Sequence, residues 1–226
     1  MLKKTTYKTI IFDLDGTLLD SAPDLINSTN FTLQHYGYPT CPDNQLRGLT
    51  GMGSIALLKR GLDYHQISHD DEIINAMRPL FLKHYQDNMT AHSTLYPDAF
   101  QFLEMCQQHQ IDMGICTNKP DFLTVPLLSQ LNINHFFKAV TCPEQTPNSK
   151  PHPDHVETSL AACQAEKSST LFLGDSSADY FAATDAGIDV LIFKHGYNDE
   201  KLPKLDEKNW ISDFKSLAKH IFSGIL

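Results

Sequence analysis

The sequence predicts an α/β fold: a doubly wound parallel sheet with an all-helical cap domain inserted after its first strand. Three observations predict it. Short apolar runs at Ile10 to Phe12, Met113 to Cys116 and Thr170 to Gly174 each stop abruptly at polar residues, as strands buried on both faces of a parallel sheet do. Helical patterns separate these runs, the alternation of a Rossmann-like core. From about Asp20 to His92, nothing has the character of a strand.

Ile10-Ile11-Phe12 delivers Asp13 and Asp15 to the carboxyl edge of the sheet, where open α/β folds bind ligands. Spaced by two, both leave the strand on the same side. Ser21 is the expected N-cap of the next helix, with Pro23 just inside and Asp24 completing a capping-box-like start. Leu25, Thr29, Leu33 and Tyr36 share one face of it, and Gly37-Tyr38-Pro39 ends it. Arg47 to Gly53 reads as a glycine-rich hinge or loop. Ile55 to Leu62 and Ile73 to Tyr85 read as helices, the second kinked or divided at Pro79, which crowds the Asn75 carbonyl. The expected cap is therefore 20–91, within a core made of 1–19 and 92–226. Its hinges are expected near Leu19 to Ala22 and Ala91 to Leu95, so that it acts as a lid excluding water.

The core resumes near Leu95. Phe100, Leu103 and Cys106 mark a helix, Phe122 to Leu131 another, Ala139 to Thr141 a short strand, and Val156 to Cys163 a helix. Asp189 to Phe193 is a further strand. Phe214, Leu217, Ala218, Ile221 and Phe222 form the apolar stripe of a last helix.

Two carboxylates as close as Asp13 and Asp15 repel each other and call for a counter-charge. The strand ending at Gly174 adds Asp175, and a helix capped by Ser176 or Ser177 adds Asp179 one turn on. Oxygen donors without nearby Cys or His suit magnesium rather than zinc. The strand ending at Cys116 leads into Thr117-Asn118-Lys119-Pro120, whose hydroxyl, amide and backbone N–H groups suit phosphoryl oxygens. Lys150, in a Pro-bounded loop, supplies an ammonium for the same phosphate.

The segments DLDGT (Asp13 to Thr17), TN (Thr117-Asn118), KP (Lys150-Pro151) and GDSSAD (Gly174 to Asp179), in this order, resemble the motifs of the haloacid dehalogenase superfamily of phosphatases. The resemblance implies that Asp13 is the nucleophile forming an aspartyl phosphate. It makes Asp15 the general acid and base, Asp13, Asp175 and the Asp15 backbone carbonyl the magnesium ligands, and Asp179 a ligand or an orienting group. It places Thr17, Thr117, Asn118 and Lys150 around the phosphate. Asp15 argues for ester chemistry, because an alkoxide needs a proton that a halide does not. Mutases of the family carry a cap histidine where this chain has Leu25, which weakens a mutase reading.

DGTLLDSAPDL, RGLTGMG and TNKP resemble the phosphoglycolate phosphatase group, which implies a small carboxylated phosphate ester as substrate. CPEQTPNSKPHPD, and HGYN with Trp210 downstream, resemble the N-acetylmuramic acid 6-phosphate phosphatases more closely still. Arg47 is a candidate for a substrate carboxylate, with a surface ion pair as the alternative. A non-catalytic phosphate-binding module is the remaining alternative, against which the intact Asp13, Asp15, Lys150 and Asp175 speak.

The net charge of −9 in 226 residues disfavours nucleic acid and anionic membranes as partners. No apolar stretch approaches a membrane span, and the N-terminus, with Lys3 and Lys4, has too short an apolar run for a signal peptide. Five cysteines without CxxC spacing read as buried thiols in a reducing cytoplasm. The partner expected is a small phosphorylated metabolite, and the state a monomer or homodimer. Gly51-Met52-Gly53 follows no strand and reads as a loop rather than a dinucleotide site. His152 and His155 read as surface histidines rather than a metal pair. Cys116 has Phe122, not arginine, six positions on, against a thiol phosphatase. Thr17 and Leu18 break the ligand spacing of a calcium loop.

Overall fold

The computed structural model describes residues 7–222. Lys3 and Lys4 lie outside them. The chain runs β1 (Thr9–Phe12), β2 (Leu19–Asp20), α1 (Ala22–His35), α2 (Asp43–Leu46), α3 (Ser54–Tyr64), α4 (Asp71–Asn88), β3 (Thr94–Leu95), α5 (Ala99–Gln108), β4 (Asp112–Cys116), α6 (Asp121–Gln130), β5 (Ala139–Thr141), α7 (Asp154–Cys163), β6 (Thr170–Gly174), α8 (Ser177–Ala186), β7 (Asp189–Phe193), β8 (Trp210–Ile211) and α9 (Phe214–Phe222). It divides into two compact units, Asp20–Thr94 forming one and the flanking chain the other.

The flanking chain builds a six-stranded sheet in the order β5-β4-β1-β6-β7-β8, parallel throughout. This is the doubly wound architecture that the alternating sequence pattern predicts. β1 lies between β4 and β6, in register Phe12 with Ile115 and Leu173. Its Ile10, Ile11 and Phe12 are fully buried, each such side chain worth about 1.5–3 kcal/mol. Because the three central strands are level, the residues that follow them emerge together at one edge.

The inserted unit is helical. Its core is made by Leu25, Ile26 and Leu33 of α1, Leu57, Leu58 and Leu62 of α3, and Ile74, Met77, Phe81 and Tyr85 of α4. β2 and β3 pair as a two-stranded ribbon. Two residues each, they are too short to show a period in sequence, and the same holds for β8.

Several local expectations are revised. Ser21 has helical backbone angles (φ −92°, ψ −3°) in place of the extended ones a capping residue adopts, and makes no capping bond. Asp24 instead faces the end of the insertion. Its carboxylate receives the N–H groups of His92 (3.0 and 3.1 Å) and Ser93 (2.7 Å) and the Ser93 hydroxyl (2.7 Å). Arg47–Met52 is a 3-10 helix rather than a loop. α4 runs through Pro79 without division. Burial of one stripe on both sides of the proline, Ile74 and Met77 before it and Phe81 and Tyr85 after it, offsets the missing hydrogen bond. His155 is fully buried on α7, whereas His152 is exposed.

Candidate active site

The sheet edge gathers four charged groups. Asp13 follows β1 directly, and its amide donates to the Leu173 carbonyl of β6 at 2.8 Å, so the strand pairing fixes its position. Asp175 follows β6. Asp179 sits in the first turn of α8, which starts there because Ser176 and Asp179 form a capping box. Asp179 Oδ2 accepts from the Asp175 amide (3.2 Å) and from the amide and hydroxyl of Ser176 (3.0 and 2.6 Å). Asp13, Asp175 and Asp179 are all buried, with one carboxylate oxygen each within 4.8 Å of the others.

Lys150 enters this group from its loop. Its Nζ donates to Asp13 Oδ1 (2.8 Å), Asp179 Oδ1 (2.6 Å) and the Cys116 carbonyl (2.7 Å), which uses all three ammonium protons. Burial alone would lower the Lys150 pKa, but the charges of Asp13 and Asp179 hold it above its usual value. Burial pushes Asp13 up to about 7 against the pull of Lys150, with Asp179 and Asp15 adding to the rise. Asp175 is raised as well, by burial and then by Asp179 and Asp13, against the Tyr197 amide and the Thr17 hydroxyl. Three carboxylates and one ammonium leave two negative charges when all are ionised. One divalent cation balances them, and the donors are all oxygen, so the cluster is able to coordinate such an ion.

Asp15 stands apart from the cluster. Both of its oxygens lie on Lys119 Nζ, at 3.0 and 3.1 Å, in a pair that is largely buried. Thr17 donates its hydroxyl to Asp175 Oδ1 (3.1 Å). Thr117 Oγ1 accepts the Lys119 amide (3.2 Å), which leaves its own proton to donate. Asn118 Nδ2 donates to the Lys150 carbonyl (2.8 Å), so it fastens the lysine loop. Arg47 belongs to the helical unit, where its guanidinium lies 3.1 Å from Asp20. Burial pushes the Cys116 thiol up to about 12, far from a thiolate nucleophile at neutral pH.

Site reasoning from sequence missed several residues. Lys119 lies in the TNKP string, where nothing local points to its Asp15 partner 104 positions away. The HGYN segment, noted only as a resemblance, holds Asp175. The Tyr197 amide donates to Asp175 Oδ2 at 2.6 Å, and Asn198 Nδ2 bonds the Asp175 carbonyl. Glycine is required beside it: a Cβ on Gly196 would overlap the Asp175 side chain, and so would one on Gly16, whose φ is +90°.

Fold and edge together define a doubly wound α/β protein with a site of acidic strand ends and a buried lysine. The chain belongs to the haloacid dehalogenase-like hydrolases, whose family model matches residues 10–193. It is 31% identical over 216 residues to the phosphoglycolate phosphatase of Agrobacterium fabrum, covering 96% of this chain and 93% of the relative. It is 30% identical over 206 residues to the N-acetylmuramic acid 6-phosphate phosphatase of Pseudomonas putida, covering 91% and 90%. Among solved structures, a phosphoglycolate phosphatase, so described by prediction, from Haemophilus somnus superposes with a TM-score of 0.87 at 29% identity, covering 96% of this chain and 98% of the other. The chain is thus an enzyme, a phosphatase of this family. Among the described residues, no helix is long and apolar enough to cross a membrane.

Proposed function

We propose that the chain is a magnesium-dependent phosphomonoester hydrolase working through an aspartyl phosphate on Asp13. The observation that carries this reading is the Lys150 ammonium bridging Asp13 and Asp179 beside Asp175, in a buried group two negative charges in excess. An Asp13 oxygen attacks phosphorus, the bond to the ester oxygen breaks, and Asp15 protonates the departing alkoxide. Asp15 then takes a proton from water as that water attacks the same phosphorus, releasing orthophosphate and restoring Asp13. Lys150 and the Thr117 hydroxyl stabilise charge on the equatorial oxygens. Asp179 orients Lys150. Asp13, Asp175 and the Asp15 carbonyl would hold magnesium, whose charge would screen the anionic nucleophile from the anionic substrate.

The substrate class is a small carboxylated phosphate ester such as phosphoglycolate, a reading supported by the Agrobacterium and Haemophilus relatives. N-acetylmuramic acid 6-phosphate, also a carboxylate, is the second reading, supported by the Pseudomonas relative and by the HGYN and KPHPD strings.

The test is release of phosphate from an aryl phosphate with and without magnesium, with mass spectrometry of the quenched enzyme for phosphate on Asp13. Magnesium-independent turnover, or phosphate on another residue, rejects the mechanism. A comparison of kcat/KM for phosphoglycolate, N-acetylmuramic acid 6-phosphate and hexose phosphates decides the substrate. Equal values across the panel reject a carboxylated substrate.

A further inference from the structure

The Lys150 side chain reaches its three acceptors only if its backbone is held still, and the backbone is held at both ends. Asn118 Nδ2 donates to its carbonyl at 2.8 Å. On the other side its amide N–H donates to His155 Nδ1 at 3.3 Å, while Nε2 of the same ring lies 3.2 Å from the Thr141 carbonyl at the end of β5. A backbone amide can only donate, so Nδ1 is the acceptor and the ring proton sits on Nε2, donated to Thr141. The ring is fully buried. A protonated ring would direct a second N–H at the Lys150 amide and break this bridge. Burial and the Lys150 charge hold the ring neutral, opposed by the Thr141 carbonyl and Asp179.

We infer that His155 is a positioning residue for Lys150: its neutral ring, locked in one tautomer by β5, fixes the lysine backbone so that the ammonium stands between Asp13 and Asp179. This rests on the phosphate-stabilising role proposed for Lys150. The displacement it prevents is small, but misplacement of a charge by about 1 Å is enough to cost rate.

Two variants separate positioning from packing. His155→Asn keeps an acceptor near Nδ1 and loses the donor to Thr141. His155→Gln keeps a donor near Nε2 and loses the acceptor. With saturating magnesium and an aryl phosphate, His155→Gln should lose about tenfold in kcat with its magnesium Kd unchanged. His155→Asn should stay within about threefold of wild type at a comparable loss in Tm. A second readout needs no turnover: hydrogen exchange of the Lys150 amide should be about tenfold faster in the Gln variant than in the Asn variant. Equal exchange in the two, or kcat losses that follow Tm alone, overturns the inference. Wild type inactive on every phosphate ester, with the exchange difference intact, overturns instead the catalytic reading and with it the link to rate.

Discussion

In the helical unit, the Asp24 carboxylate is 1% exposed and surrounded by donors that cannot leave: two backbone N–H groups and a serine hydroxyl. In the sheet unit, Asp13 is 8% exposed and meets a buried ammonium that Asp179 also binds, with two further carboxylates close by. Burial is similar, and the company differs. Fixed, uncharged donors satisfy a carboxylate for good and make it a fastener. A cation shared with Asp179 and crowding by like charges leave it unsettled, which is what the proposed nucleophile needs.

The sharpest way to break this contrast is the same substitution at both sites. Asp13→Asn should lower kcat about 10⁴-fold or more, because the attacking oxygen is lost. Its Tm should hold or rise, since one of three crowded carboxylates is gone. Asp24→Asn should do the reverse. It leaves amide hydrogens facing amide hydrogens, costs about 3 kcal/mol of stability, and keeps kcat of the folded enzyme within about twofold of wild type. An Asp24 variant with normal Tm and dead activity would erase the distinction.

A second test uses metal in place of mutation. Magnesium at about one hundred times its Kd should stabilise wild type by about 2.7 kcal/mol, read as a rise in Tm. Asp175→Asn should lose most of that rise, and Asp24→Ser should keep it. An equal rise in all three would move the metal away from the strand ends.

The smallest effect is in pH. Without metal, Asp13 has a folded pKa raised above its unfolded one, so its contribution to stability is present below about pH 3.8 and is lost as pH rises through about 7. His155 has the opposite sign. Its folded pKa is lowered from 6.5 to about 4. The native state therefore loses stability as pH falls from 6.5 towards 4, by on the order of 1–3 kcal/mol. The Tm gap between wild type and His155→Asn should narrow over that window. A gap constant with pH would mean that the ring titrates alike folded and unfolded.

Much of the sheet unit is legible in the sequence because β1, β4 and β6 are apolar runs that end in Asp13, Thr117 and Asp175. A buried parallel strand is one of the few elements whose limits a sequence marks on both sides. What stays hidden is pairing at a distance. Nothing near Lys119 announces Asp15, and nothing in HGYN announces that Tyr197 and Asn198 contribute contacts to the backbone and carboxylate of Asp175. His155 reads as a surface residue because an HPDH string is polar, yet the turn of α7 carries it inward to Lys150 and Thr141. Ser21 and Pro79 mislead for a related reason. Local propensity votes for a cap and a break, and burial on the packed helix faces overrules it.

Gly16 and Gly196 hem in the Asp175 side chain from two directions, one on the turn after β1 and the other 180 positions later. A library randomised at both codons and selected for turnover should return glycine alone at each. Alanine, ordinarily the gentlest replacement, would be as harmful there as a change to Asp175 itself. Two residues with no functional group thus become part of the enzyme's fingerprint, readable in any variant pool without a substrate in hand.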